Sequence, residues 1–179
     1  MSDYEVKQAS RIRRSRHGCL LNLILIAVIC IATLVVVPFA VRLVRVQGDS
    51  MAPALEGGQV LLVNRLAYRF SPPQRGDIVV IQSPADASAV VVKRIVGLPG
   101  ERLSIRQGVI SVNDAPLDEP YLVEQTTDEY GPESVAGGTV FVLGDHRSVS
   151  NDSREWGGVP VGNIIGRVEF SVWPTKPAS

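Results

Sequence analysis

Ala89-Val90-Val91-Val92-Lys93-Arg94-Ile95-Val96 is a run of β-branched residues interrupted by two adjacent cations and closed by Gly97 and the tight turn Leu98-Pro99-Gly100-Glu101. A short β-branched segment bounded by turn residues predicts a strand. The same pattern recurs at Val60 to Val63, Asp77 to Ile81, Leu103 to Ile105, Val109 to Val112, Thr139 to Leu143 and Gly166 to Val172. Gln107-Gly108 and Asn113-Asp114 bracket one of these strands with hairpin-type turns. Outside one apolar stretch near the N-terminus, no long segment carries a helical stripe. The expected class is mostly β, as a barrel or as paired sheets closed to limit exposed edges. Thr126 to Gly138 is polar and glycine-containing, and reads as a surface excursion, the most mobile part of the domain.

The apolar stretch runs from Cys19 to Val41 without a charge, with Asn22 its only strongly polar residue. About 20 apolar residues span the hydrocarbon core as a helix, whereas a cleaved signal has an apolar region of about 7 to 15. The stretch therefore reads as a retained membrane anchor. Three parts follow: a basic N-terminus at 1–18, a transmembrane helix at 19–41 and an exported domain at 42–179. Arg11, Arg13, Arg14 and Arg16 precede the span, with Lys7 and His17 nearby, and only Arg42 and Arg45 follow it closely. Positive residues favour the cytoplasmic side, so the N-terminus is expected inside and the domain outside.

Composition removes several function classes. With 18 Lys and Arg against 18 Asp and Glu the formal net charge is zero, and the Arg cluster abuts the span, so no nucleic-acid partner is expected. Cys19 and Cys30 lie in or at the edge of the span, about 16 Å apart along one helix, too far for a mutual disulfide. The exported domain has no cysteine for a nucleophile or a thiolate metal site, and His17 and His146 lie on opposite sides of the span. No metal and no cofactor are expected.

Chemistry is carried by hydroxyl and amine groups. Ser50 lies a few residues past the span, in Gly48-Asp49-Ser50-Met51-Ala52-Pro53. A serine hydroxyl needs a base to become a nucleophile. Lys93 is the candidate: strand alternation puts it on one face with Val91 and Ile95, and Val92 and Arg94 on the other. Burial among apolar neighbours lowers a lysine pKa and leaves an amine able to accept a proton. Alternation alone leaves open a solvated edge position for Lys93, and Ser50 by itself suits a turn or helix cap. The segment Gly144-Asp145-His146-Arg147-Ser148-Val149-Ser150-Asn151-Asp152-Ser153-Arg154, directly after an apolar strand, reads as a loop tied by Asp–Arg pairing.

Taken in order, the anchor, Gly48 to Pro53, Arg75-Gly76-Asp77-Ile78-Val79, Lys93 to Glu101, Gly144 to Arg154 and Trp173-Pro174 make the chain resemble the bacterial type I signal peptidases. The resemblance covers nearly the whole chain. It implies coiled antiparallel β-sheets forming a barrel-like catalytic domain behind one transmembrane helix, with an apolar surface resting on the lipid bilayer. It implies a Ser-Lys endopeptidase that removes signal peptides from preproteins at the outer face of the cytoplasmic membrane, and leaves association with the secretion machinery open. Ser50 matches the nucleophile and Lys93 the general base. Ser150 matches the serine that orients the lysine amine, and Asp152 and Arg154 a supporting ion pair. Val46, Met51, Leu55, Val91 and Val92, flanking Ser50 and Lys93, are the candidate walls of pockets for small side chains.

Two positions depart from the family pattern. Gly48 stands where some relatives place a hydroxyl that donates to the oxyanion, and His146 stands where the loop often has Asn. The histidine brings in a Ser-His alternative, against which stands Lys93 in the matching strand motif. Other readings are a Ser-Lys maturation peptidase dedicated to one exported substrate such as a pilin, and a membrane-tethered β module that binds exported peptides without cutting them.

Overall fold

The structure is a computed structural model that describes residues 21–34, 37–124 and 126–173. The basic cluster Arg11 to Arg16, His17, Cys19 and Pro174 fall outside the described residues. Contacts divide the chain into two units, 1–40 and 41–179. The first holds one apolar helix, α1, Leu21–Ala40, long enough to cross a bilayer and carrying an exposed Cys30. Val41, counted in the span from sequence, is the first residue of strand β1.

The second unit is built from strands β1 (Val41–Arg45), β2 (Val60–Asn64), β3 (Ile78–Gln82), β4 (Val90–Gly97), β5 (Arg102–Arg106), β6 (Val109–Val112), β7 (Ala115–Pro116), β8 (Tyr130–Ser134), β9 (Thr139–Leu143), β10 (Val159–Pro160) and β11 (Ile164–Trp173), with short helices α2 (Ala67–Phe70) and α3 (Ser153–Trp156). One sheet has the order β1-β2-β11-β3-β4-β9-β10 and the other β7-β6-β5-β8. All pairings are antiparallel. The long strand β11 makes the larger sheet curl. It pairs with β3 through its first half and with β2 through its second, with register shifts that bend it. At Gly166 a Cβ would press into the Asn64 carbonyl, so that crossing requires glycine.

Alternation decides what fills the curl. Val44, Val46, Leu61, Val63, Val80, Val92 and Val168 turn inward and meet Met51 and Leu55 in one core cluster. The opposite face of β3 and β4 offers Val79, Ile81, Val91 and Ile95, which pack with Val140, Val142 and Val159 and are covered by Tyr68 and Trp156. A third cluster, with Leu103, Ile105, Ile110 and Phe141, joins the smaller sheet to the larger. The smaller sheet begins where Gly97 leaves no room for a side chain against Phe141 and Leu103.

Beyond the two-residue strands β7 and β10 and the short helices, two longer segments differ from the sequence expectation. Thr126 to Gly138, expected as an excursion, contributes β8, which pairs with β5 at the sheet edge. Its residues Gly131 to Ser134 are exposed, so no alternation marks it. Strand β1 was hidden because Val41 continues the apolar anchor and Arg42 and Arg45 interrupt the pattern. Leu61 is fully buried at the centre of the curl. Leu61→Ala is expected to cost about 2–5 kcal/mol, measured by urea unfolding of the full chain in detergent micelles.

Candidate active site

The turn that carries Ser50 is held from below and from behind. Met51, 1 % exposed, plugs the core inside the curl. Backbone bonds from Ala52 N–H to the Asp49 carbonyl (2.9 Å) and from Leu55 N–H to the Met51 carbonyl (2.8 Å) wind residues 49–55 into consecutive turns. The Ser50 carbonyl accepts from the His146 N–H at 3.1 Å, which ties this turn to the loop that follows β9.

Lys93 lies on β4, opposite Val79 of β3, and is 3 % exposed. The solvated edge position left open by alternation is not the one it occupies. Nζ donates to Ser150 Oγ at 2.9 Å. Burial pushes the Lys93 pKa below the ordinary lysine value; the Asp152 carboxylate acts in the opposite sense and the Arg154 guanidinium adds to the lowering. Desolvation dominates because taking a cation out of water costs more than a carboxylate in the surroundings returns.

The loop from Gly144 to Arg154 supplies Ser150 and is braced internally. Asp152 is fully buried, and its Oδ2 accepts from the Gly144 N–H at 3.1 Å. Its Oδ1 accepts from Arg154 Nε at 2.9 Å, and Arg154 Nη2 donates to the carbonyls of Arg147 (2.7 Å) and Ser150 (3.0 Å). Asp128 pairs with the same guanidinium from outside. Gly144 is the point where the pieces meet. A Cβ there would collide with the Ser50 carbonyl and with Ser150 Oγ, the atom that Lys93 Nζ touches.

His146 is turned to other partners. Nδ1 lies 3.3 Å from the Asp49 carbonyl and Nε2 3.8 Å from Glu124, so its backbone rather than its ring holds Ser50. Gly48 adopts a positive φ of 77° with open space where a side chain would start.

A groove of about 520 Å³ leads away from Ser50, lined by residues 42–47 on one side and 88–92 on the other, with Met51 and Val80 at its floor. Val46, Met51, Val91 and Val92 line it. Leu55 does not: the turn after Met51 carries its side chain into the core beneath the groove, where it is 7 % exposed. Among the described residues, both long walls have free backbone. β1 is the outer strand of its sheet, and β4 pairs with β9 only from Arg94 onward, leaving Val90 to Lys93 unpaired on that side. Four antiparallel steps separate β1 from β4, so the two free edges run in the same direction.

Sequence reasoning passed over Arg94, Asp145, Arg147, Glu119 and Tyr121. Arg94, next to Lys93, donates to both carboxylate oxygens of Asp145 at 2.8 and 2.6 Å. Arg147, 3 % exposed, pairs with Glu119 at 2.5 Å. The density of Asp and Arg after β9 signalled the loop half of these pairs, and nothing local signalled Glu119. Gly144→Ala is expected to cost about 1–3 kcal/mol by overpacking and to part Ser150 from Lys93 beyond hydrogen-bond reach. Urea unfolding and a crystal structure of the variant check both.

Comparison with known proteins agrees with this architecture. Residues 19–173 match the family described as signal peptidase, peptidase S26. A signal peptidase I of Bacillus caldolyticus is 39 % identical over 165 residues, covering 84 % of this chain and 88 % of the relative. One from Leptolyngbya laminosa is 38 % identical over 138 residues, covering 73 % of this chain and 68 % of the relative. The crystal structure of a signal peptidase I from Enterococcus faecalis V583 superposes with a TM-score of 0.50 at 33 % identity, over 54 % of this chain and 97 % of that one. With the family matched from the edge of the anchor to the end of β11 and the curled sheet shared with a solved relative, the chain belongs to the signal peptidases of the peptidase S26 family.

Proposed function

We propose that this protein is a membrane-anchored serine endopeptidase that removes N-terminal signal peptides from preproteins, with Ser50 as nucleophile and Lys93 as general base. The observation that carries the assignment of the base is the buried Lys93 amine at 2.9 Å from Ser150 Oγ, in a loop whose N–H also holds the Ser50 turn. Ser50 Oγ attacks the carbonyl carbon of the scissile bond while Lys93 Nζ accepts the hydroxyl proton. The C–N bond then breaks, the proton passes from Lys93 to the leaving amine, and an ester remains on Ser50. Water attacks that ester, Lys93 takes a proton from it, and Ser50 is released with its hydrogen. The Ser50 backbone N–H serves the oxyanion. Ser150 orients the amine, and the Asp152–Arg154 pair holds Ser150.

Chain order supports a substrate direction: α1 ends at Ala40, and β1 follows it in sequence and leads to the Ser50 turn. A signal peptide also leaves the bilayer before its cleavage site, so its last residues run the same way, as an added strand parallel to both free edges. Val46, Met51, Val91 and Val92 then border small side chains just before the bond. The positive cluster Arg11 to Arg16 supports an orientation with the N-terminus inside and the catalytic unit outside, the side on which preproteins leave the secretion machinery.

In detergent with a preprotein, Ser50→Ala and Lys93→Ala are expected to abolish cleavage with the fold intact, and His146→Ala to retain most of it; the reverse order of Lys93 and His146 moves the base to the histidine. Because burial lowers the Lys93 pKa, the neutral amine and the rate increase as pH passes upward through that lowered value, below the ordinary lysine value of about 10.4. An ascending limb below about pH 6 would instead match a histidine base. Protease treatment of sealed right-side-out vesicles is expected to digest the unit after Val41 from outside; protection there removes the proposed orientation.

A further inference from the structure

Arg94 and Lys93 are neighbours on β4, and Arg94 grips the loop that carries Ser150 through Asp145. The ring of Tyr121 lies over this guanidinium, 3.9 Å from its carbon to the ring centroid. Tyr121 in turn donates its hydroxyl to Glu119 Oε1 at 2.6 Å, and the same oxygen accepts from Arg147 Nη2 at 2.5 Å. Arg147 Nε then donates to the Gly144 carbonyl at 3.0 Å. The path closes on itself: β4, Asp145, Gly144, Arg147, Glu119, Tyr121 and back to β4. Glu119 and Arg147 are 7 % and 3 % exposed, so this pair is shielded from solvent and from salt. Farther out, Ser148 N–H and Oγ donate to Glu124 at 2.9 and 3.1 Å, and Arg154 pairs with Asp128. All three carboxylates come from the stretch after β7, with no part in the groove.

We infer that Glu119 is a positioning residue for the Lys93–Ser150 pair, acting through Arg147 on the Gly144 backbone and through Tyr121 on Arg94. Gly144 is the contact between the Ser50 turn and Ser150, so a small displacement of its carbonyl moves Ser150 relative to Lys93. Glu119 fixes that carbonyl by holding the only side chain that donates to it among the described residues. The groove walls at 42–47 and 88–92 are untouched by this circuit, so Glu119 governs the chemical step and leaves substrate binding alone.

The inference rests on the proposed signal-peptidase function, and two readouts separate the two. In detergent-solubilised full-length protein with a preprotein-derived peptide, Glu119→Gln is expected to lower kcat at least tenfold while KM stays within twofold. The pH–rate ascending limb is expected to shift to higher pH, because a slackened loop admits water to Lys93 and relieves the burial that lowers its pKa. The charged groups facing Lys93 are Asp152, Arg154 and Asp145, all on the Gly144 to Arg154 loop, and its β3 neighbour is the apolar Val79. Glu119→Asp is expected to recover part of the rate. Since Glu119→Gln leaves Arg147 buried without its carboxylate and can cost folded protein, Glu119→Leu with Arg147→Met restores apolar packing. That double variant is expected to fold and remain slow. Arg102→Ala, which removes an exposed pair with Asp114, serves as the surface control. Unchanged kcat and pH profile in Glu119→Gln, or full recovery in the apolar double variant, overturns the inference. Wild-type protein that cleaves no preprotein overturns the proposed function instead, and the Lys93 titration, followed by NMR of the ¹³C-methylated amine, still decides whether Glu119 positions Lys93.

Discussion

An ammonium taken out of water must be neutralised or compensated, and Lys93 is placed where that constraint governs its surroundings. It projects from an internal strand, is 3 % exposed, and meets a hydroxyl rather than a carboxylate at hydrogen-bond distance. A direct carboxylate partner would hold the proton on the lysine, whereas a serine hydroxyl accepts from either protonation state without favouring the cation strongly. Asp152 is close enough to act through space, but its oxygens are taken by the Gly144 N–H and by Arg154. The arrangement keeps negative charge in the loop while withholding it from the amine.

That arrangement depends on backbone more than on side-chain chemistry. Gly144 has no side chain because Ser50 and Ser150 both occupy the space where one would go. The loop that follows it is short of apolar anchors, so its shape is maintained by charge-assisted bonds from Arg94, Arg147 and Arg154. Such pairs are costly to bury, and each here compensates by satisfying several acceptors, as Arg154 does with Asp152, Asp128 and two carbonyls.

The groove has its own logic. A curled sheet with two unpaired edges is an aggregation hazard unless something covers them. Here β1 and the first half of β4 leave backbone groups free along one channel that ends at Ser50. An extended chain laid between them satisfies both edges at once and closes the curl. Strand addition of this kind rests on main-chain bonds.

Much of the architecture was legible in the amino-acid order, because β-branched runs closed by Gly, Pro, Asn and Asp mark strands through local sterics alone. β2 to β6, β9 and β11 announced themselves this way, and α1 by its length and lack of charge. Of the longer strands, β1 and β8 did not: one shares the composition of the anchor it continues, and the other is an exposed edge strand whose partner, not its own pattern, makes it a strand. Ser50, Lys93, Ser150, Asp152 and Arg154 could be named from ordered motifs, but alternation by itself favoured a solvated edge for Lys93. Burial is a property of what packs on top, which for Lys93 comes from a loop more than fifty residues away in sequence. Leu55 and Glu119 show the same limit from opposite sides. A turn buries the first below the groove, and the second, in a stretch with no motif, meets Arg147 only because the smaller sheet brings that stretch back over the loop. Local order determines which strands form; the packing of distant segments decides which charges lose their water.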